Sequence, residues 1–248
     1  MSRGRIRIEY GQKRIRVYLG GEVVADTTRP KLVWEKPYYP TYYFPDADVR
    51  LDALVPSGHT KRSPSRGTAE LFDVKSSRRT AEQAAYRHSD SPIEDLQTMV
   101  AFEWAAMDAW FEEDEEVFVH ARDPHTRVDV LPSSRRIEVM IDGVTVADST
   151  NARLLFETGL PVRYYLPKTD VRMDLLTPTN TQSHCPYKGT AEYWSVSVDG
   201  TTHDDIVWGY RTPLPESAGI GGLVSFYNEK VDILVDGAPE DRPETIFS

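Results

Sequence analysis

The segment Cys185-Pro186-Tyr187-Lys188-Gly189 places a thiol and an ammonium three residues apart across a proline. Proline at the second position of a four-residue turn presets φ, which brings the first and fourth Cα atoms within ~7 Å. A cation beside a thiol favours the nucleophilic thiolate, and a lysine that sheds its proton in a dry pocket attacks carbonyls. Cys185 and Lys188 are therefore candidate reactive groups, with His184 adjoining the thiol. The same residues also suit a plainer role, a tight turn with a packed thiol and a surface lysine.

Glu192 follows Lys188 by four residues and completes a candidate catalytic set of Cys185, Lys188 and Glu192. Arg163, Tyr165, Asp170, Trp194, Trp208 and Tyr210 supply polar and aromatic groups for a ligand cleft. The mouth of a small β-barrel is one place where such groups converge on a small molecule. The carboxylates equally suit ion pairs that hold turns, Asp170 with Arg172 for example, and the aromatics equally suit a core. The six histidines show neither HxxxH nor HxH spacing, so no metal is expected. Gly219-Ile220-Gly221-Gly222 leads into the strand-like LVSFY and not into a helix, so it reads as a turn and no cofactor is expected; no GxSxG elbow occurs, so no serine triad is expected either.

A duplication must position these residues. Residues 5 to 74 and 127 to 196 align at a constant offset of 122 without a gap, and 26 of the 70 aligned positions are identical. RIRVYLGGEVVADTT recurs as RIEVMIDGVTVADST, and SPSRGTAE recurs as CPYKGTAE. Such a period is far above the roughly 20 to 50 residues of solenoid repeats, so each copy is expected to be a domain with its own core, 1–125 and 126–248. Copy one carries Ser63 and Arg66 where copy two carries Cys185 and Lys188. It keeps the turn and the positive charge but lacks the thiol, which directs any chemistry to copy two and leaves copy one a structural or anion-binding part.

Arg5 to Glu9, Arg14 to Leu19 and Glu22 to Asp26 alternate at period two, and Gly20-Gly21 and Asp142-Gly143 sit where a two-residue hairpin turn needs positive φ. Further strands are expected at 31 to 36, 41 to 44, 49 to 55 and 68 to 74, and 122 residues later. Short, evenly spaced strands favour two tandem copies of a small antiparallel β-barrel or folded-sheet domain with little helix. The best helical candidates are Thr80 to Tyr86 and Leu96 to Met107, and the acidic run Glu112 to Glu116 reads as a solvated loop near an interdomain hinge. The 248 residues, 40% of them apolar, suffice for two ordinary cores and contain no apolar run long enough to cross a bilayer. The amino terminus lacks the apolar stretch of a signal peptide and there is one cysteine, so cytoplasmic residence is expected. A net charge of -10 argues against nucleic-acid and anionic-membrane partners.

The order of RYYLPKTDV, CPYKGTAEYWSV, IVWGY and GLVSFYNEKVDILVDG closely resembles the bacterial domain-of-unknown-function family numbered four-two-seven, sometimes filed under a nucleotidyltransferase-like label. YYFPDADVRLD and MDAWFEEDEEVFVHARDP resemble the first half of that family's tandem members. The resemblance implies a compact β fold and brings no activity with it. Nucleotide transfer on Mg²⁺ needs paired carboxylates beside a phosphate loop. Asp46-Ala-Asp48 has that spacing, but its counterpart is Lys168-Thr169-Asp170 and no Gly-Ser loop precedes either. The expectation is a protein that binds a small molecule in copy two, with catalysis left open; the alternative is a non-enzymatic protein-interaction module built from duplicated β domains.

Overall fold

A computed structural model describes residues 6–245 and 248. The chain divides into two compact units, Met1–Asp123 and Pro124–Ser248. In the first, a seven-stranded antiparallel sheet runs from edge to edge through Ile8–Tyr10, Lys31–Val33, Thr41–Pro45, Met99–Phe102, Thr80–Arg87, Gly67–Lys75 and Leu54–Ser63. A second sheet of four strands, Glu115–Glu116, Ala109–Glu112, Ile15–Leu19 and Glu22–Thr27, covers one of its faces.

The second unit repeats this order strand for strand. Val128–Pro132, Arg153–Glu157 and Arg163–Tyr165 form one piece, and Val224–Phe226, Thr201–Tyr210, Gly189–Val198 and Leu176–Cys185 form the other. A bridge between Leu166 and Val224, with N–H···O bonds of 2.7 and 3.0 Å in the two directions, joins the pieces where Phe44 pairs with Val100 in the first unit. The smaller sheet is again four strands, Val144–Ser149, Ile137–Ile141, Asp232–Val235 and Ala238–Pro239. None of these sheets closes into a barrel, so of the two expected forms the folded sheet is the one observed.

The hairpins form where glycine permits them, with φ of 61° and 79° at Gly20 and Gly21 and of 50° and 81° at Asp142 and Gly143. Strand alternation then sorts side chains between two cores. Tyr42, Phe44, Val100 and Phe102 face the smaller sheet, while Tyr43, Met99 and Ala101 between them enter a satellite cluster on the opposite face. In the second unit Tyr164 and Leu166 likewise face the main core and Tyr165 the satellite.

Several local expectations are corrected. Thr80–Arg87 is a strand, because Ala81, Ala84 and Ala85 are small residues buried between sheets and tertiary packing overrides their helical propensity. Residues 96 to 107 hold the strand Met99–Phe102 between single 3-10 turns, Glu94–Leu96 and Trp104–Ala106. The acidic run is a hairpin of the first unit: Glu112 is buried, with the Tyr42 hydroxyl and Lys13 on its carboxylate, and Asp114 takes Arg16. Residues 49 to 53 are a 3-10 turn and its approach, and the strand begins at Leu54. Of the expected first strand, Arg5 lies outside the described residues and pairing starts at Ile8.

Candidate functional site

The turn at Cys185 closes as its sequence demands, with the Lys188 N–H donating to the Cys185 carbonyl at 3.3 Å. In the first unit the Arg66 N–H donates instead to the Ser63 hydroxyl at 3.3 Å. Past the turn Lys188 runs into the satellite cluster, where its ammonium meets the Glu157 carboxylate, and the two side chains are only 11% and 8% exposed. Cys185 is half-buried, close enough to Tyr165 and Tyr210 for a charge on sulfur to oppose ionisation of both phenols. Burial is the larger cause that pushes those two hydroxyls well above the usual tyrosine range.

The first unit builds the same cluster from the corresponding positions. Arg66 pairs with Glu35, and Glu35 Oε1 also accepts from the Tyr43 hydroxyl at 2.5 Å and the Tyr86 hydroxyl at 3.1 Å. Each unit thus buries one carboxylate, one cation and two phenols on the face away from its smaller sheet. The first adds His88, whose ring is 2% exposed with Nδ1 unpartnered, and which burial and then the Arg66 charge hold below the usual imidazole range. The second has Thr212 at that place and adds aromatics.

Trp208 lies opposite Tyr193 in the sheet, donates from Nε1 to the Tyr165 hydroxyl at 3.0 Å, and packs on Tyr227 with ring centroids 4.4 Å apart. A chain of hydroxyls leads outward from there, Tyr227 to Tyr193 at 3.5 Å and Tyr193 to the exposed Ser183 at 2.7 Å. Behind the rings Arg163, over Trp208 and Tyr227, makes a two-pronged ion pair with Glu229, both contacts at 2.7 Å, and reaches Asn228 at 3.1 Å. Burial works against the Glu229 charge, but the hydrogen bonds from Arg163 and the Thr245 hydroxyl outweigh it and hold the carboxyl below its usual range.

Of the residues singled out from sequence, the structure brings together Cys185, Lys188, Tyr165, Trp208, Tyr210 and Arg163 on one face. It places the other three elsewhere. Glu192 alternates with Ala191 and Tyr193 and so points away from the satellite cluster, and Trp194 beside it belongs to the main core, under the Lys168 ammonium at 4.8 Å. Asp170 ends a 3-10 turn and accepts from the Ser149 hydroxyl at 2.6 Å, just as Asp48 accepts from Thr27 at 2.7 Å. Asp46 is held by Arg87, so the two aspartates of Asp46-Ala-Asp48 take separate partners within the first unit. Glu157, Tyr193, Tyr227 and Glu229 were not singled out. Glu157 carried a usable signal, identity with Glu35 in the other copy; the other three differ between copies and carried none.

The fold and the cluster define a duplicated antiparallel β protein whose two units share a buried carboxylate–cation–phenol group and differ in what surrounds it. The chain belongs to the family described as a domain of unknown function (DUF427), which matches residues 7–113 and again residues 129–237. Comparison with curated proteins gave no match. No helix among the described residues is long and apolar enough to cross a membrane.

Proposed function

We propose that the second unit binds a small planar molecule with a hydrogen-bonding edge, at the outer margin of the cluster formed by Lys188, Glu157, Tyr165, Tyr193, Trp208 and Cys185. The observation that carries this reading is the duplicated cluster itself. A buried ion pair contributes little net stability compared with apolar residues of the same size, yet both units keep one inside an otherwise apolar satellite core. Only the second unit surrounds it with aromatic faces: Thr41, Leu71 and Ala84 stand where it has Arg163, Tyr193 and Trp208. Flat rings and a file of hydroxyls ending at an exposed serine suit a planar ligand with polar atoms on its rim.

The same geometry favours recognition over catalysis. The Lys188 ammonium is committed to Glu157, so it neither activates the thiol directly nor stands free as a nucleophile. Half-buried Cys185 then serves as a reporter. Compounds can be screened for protection of Cys185 against iodoacetamide together with thermal stabilisation, a ligand at 100 times its Kd adding about 2.7 kcal/mol. Trp208→Leu and Lys188→Met are expected to remove both effects, and Arg66→Ala to leave them. A ligand whose binding survives Trp208→Leu and leaves Cys185 unprotected would place the site elsewhere and overturn the proposal.

A further inference from the structure

A cavity of about 220 Å³ opens in the second unit on the side of the large sheet away from Cys185, among Leu154, Phe156, Pro161, Val162 and Pro243. Its polar lining is Arg135, Tyr164, Asn228, Glu240 and Asp241. The first unit shows why the space is there. Trp104 and Trp110 stack face to face at 4.4 Å within its main core, with Trp34 packed against that core. In the second unit the pairing register puts Ile233 at the place of Trp110, Asn228 follows Phe226 as Trp104 follows Phe102, and Phe156 replaces Trp34. Three smaller side chains stand where the first unit has three indoles.

The polar groups shift in step. In the first unit the Tyr42 hydroxyl binds Glu112, which is buried between Lys13 and Arg122. In the second, Val235 occupies the register position of Glu112, and the Tyr164 hydroxyl donates instead to Glu240 at 2.7 Å. Glu240 comes from the tail: its N–H meets Ile233 O at 2.8 Å just as the Val117 N–H meets Trp110 O at 2.8 Å, so a carboxylate stands where the first unit buries a valine.

We propose that this cavity binds a small organic ammonium ion, with its apolar body against Leu154, Phe156 and Val162 and its N–H groups on Glu240 and Asp241. Each donor-bearing side chain around the cavity already has one acceptor, and the Arg135 charge is matched by Asp236. Arg135 Nε donates to Asp236 at 3.0 Å, the Tyr164 hydroxyl to Glu240, and the Asn228 amide to Val162 O at 3.0 Å. Two carboxylates stand in excess of that paired guanidinium, Glu240 with its second oxygen and Asp241, which has no hydrogen bond or ion pair among the described residues. A ligand that completes the site must therefore bring donors and positive charge. The chain's net charge of -10 raises the local concentration of such a cation. The volume suits a body slightly larger than benzene, which fills a cavity of about 150 Å³.

Benzylammonium chloride and its uncharged counterpart benzyl alcohol test this by titration calorimetry on the full chain. The ammonium is expected to saturate the protein and to bind at least about tenfold more tightly than the alcohol, the ratio for one charge-assisted hydrogen bond. Glu240→Gln with Asp241→Asn keeps an acceptor for Tyr164 and is expected to bring the ammonium down to the alcohol's affinity. Phe156→Trp installs the residue the first unit carries there and is expected to block both compounds; circular dichroism checks that it folds, and Val162→Phe fills the same space independently. Saturating benzylammonium is expected to leave the alkylation of Cys185 by iodoacetamide unchanged, which separates this site from the one around Lys188. Absence of saturation up to about 10 mM, equal affinity for ammonium and alcohol, or binding that survives both filling variants would each overturn the proposal.

Discussion

Lys188→Met should be far more damaging than an exposed lysine warrants, and more damaging than Lys188→Met combined with Glu157→Leu. In the single variant the Glu157 carboxylate, 8% exposed, keeps its charge among Tyr165, Tyr210 and Leu155 without its cation. Breaking a buried pair in this way costs about 3 to 5 kcal/mol, and the residual exposure of 11% at Lys188 places this pair near the lower figure. The double variant removes both charges and supplies apolar volume, which is close to neutral in well-packed sites, so a coupling of about 2 kcal/mol or more is expected between the two positions. Hydrogen exchange read by mass spectrometry is the suitable assay, because it assigns the loss to one of the chain's two units. Protection should fall in the strands 176 to 210 and stay unchanged in 54 to 87, and the double variant should recover most of it. Single variants that each cost under about 1 kcal/mol, with additive effects, would show the pair to be solvated and refute the reasoning.

Tyr165→Phe removes the acceptor of the Trp208 Nε1–H and is expected to cost about 1 to 3 kcal/mol, measured by urea unfolding, whereas Tyr10→Phe at an exposed position should cost nothing measurable. Folding holds several carboxyls below their usual range, Glu229 through Arg163 against its own burial and Glu22 lowered to about 2 through Arg50 and Ser77. Depressed folded values mean that stability is present above the unfolded carboxylate range and is lost as pH falls through the folded ones, so urea midpoints should hold steady down to about pH 4.5 and drop towards pH 2. Glu229→Gln should flatten that drop. Burial raises the hydroxyls of Tyr42, Tyr43, Tyr86, Tyr164, Tyr165 and Tyr210, so the unfolded state ionises first and stability falls as pH rises above about 10; tyrosinate absorbance should appear together with the loss of near-ultraviolet dichroism, and a separate earlier step from these residues would contradict their burial.

Much of this fold is written in local sequence, and the site largely is not. Gly20-Gly21 and Asp142-Gly143 announce their hairpins because positive φ is a property of the residue itself. The turn from Cys185 to Lys188 is legible for the same reason, since proline sets its geometry. The direction Lys188 takes beyond the turn is another matter. Glu192, four residues on, joined Lys188 in the candidate catalytic set, but the chain between them is a strand, in which odd-numbered Ala191 and Tyr193 face the cluster and Glu192 does not. The true partner, Glu157, lies 31 residues back on a strand that meets the turn only through the assembled sheet. Thr80 to Arg87 failed in the opposite sense: alanine is the best helix former in isolation, and its small size is also what lets Ala84 and Ala85 lie fully buried in a sheet.

Within this chain the two copies serve as controls for one another, and their differences have a direction. Positions that close the fold agree in chemistry: Asp48 and Asp170 on their hydroxyls, the bridges from Ala25 to Val49 and from Ala147 to Val171, and the carboxylate–cation pairs of the satellite clusters. Positions that fill space do not. On the main-core side the first unit holds Trp34, Trp104 and Trp110 where the second has Phe156, Asn228 and Ile233, and the cavity described lies in the second unit. On the satellite side the exchange runs the other way, with Leu71 and Ala84 answering to Tyr193 and Trp208. Large-to-small replacement in a core ordinarily costs stability through the cavity it leaves, whereas Tyr193 and Trp208 add ring area that is buried on inner strands. The main-core change in the second unit forgoes packing that the first unit demonstrates the fold can accept, while the satellite-side change adds buried rings. The differences direct both ligand tests to residues 124 to 248.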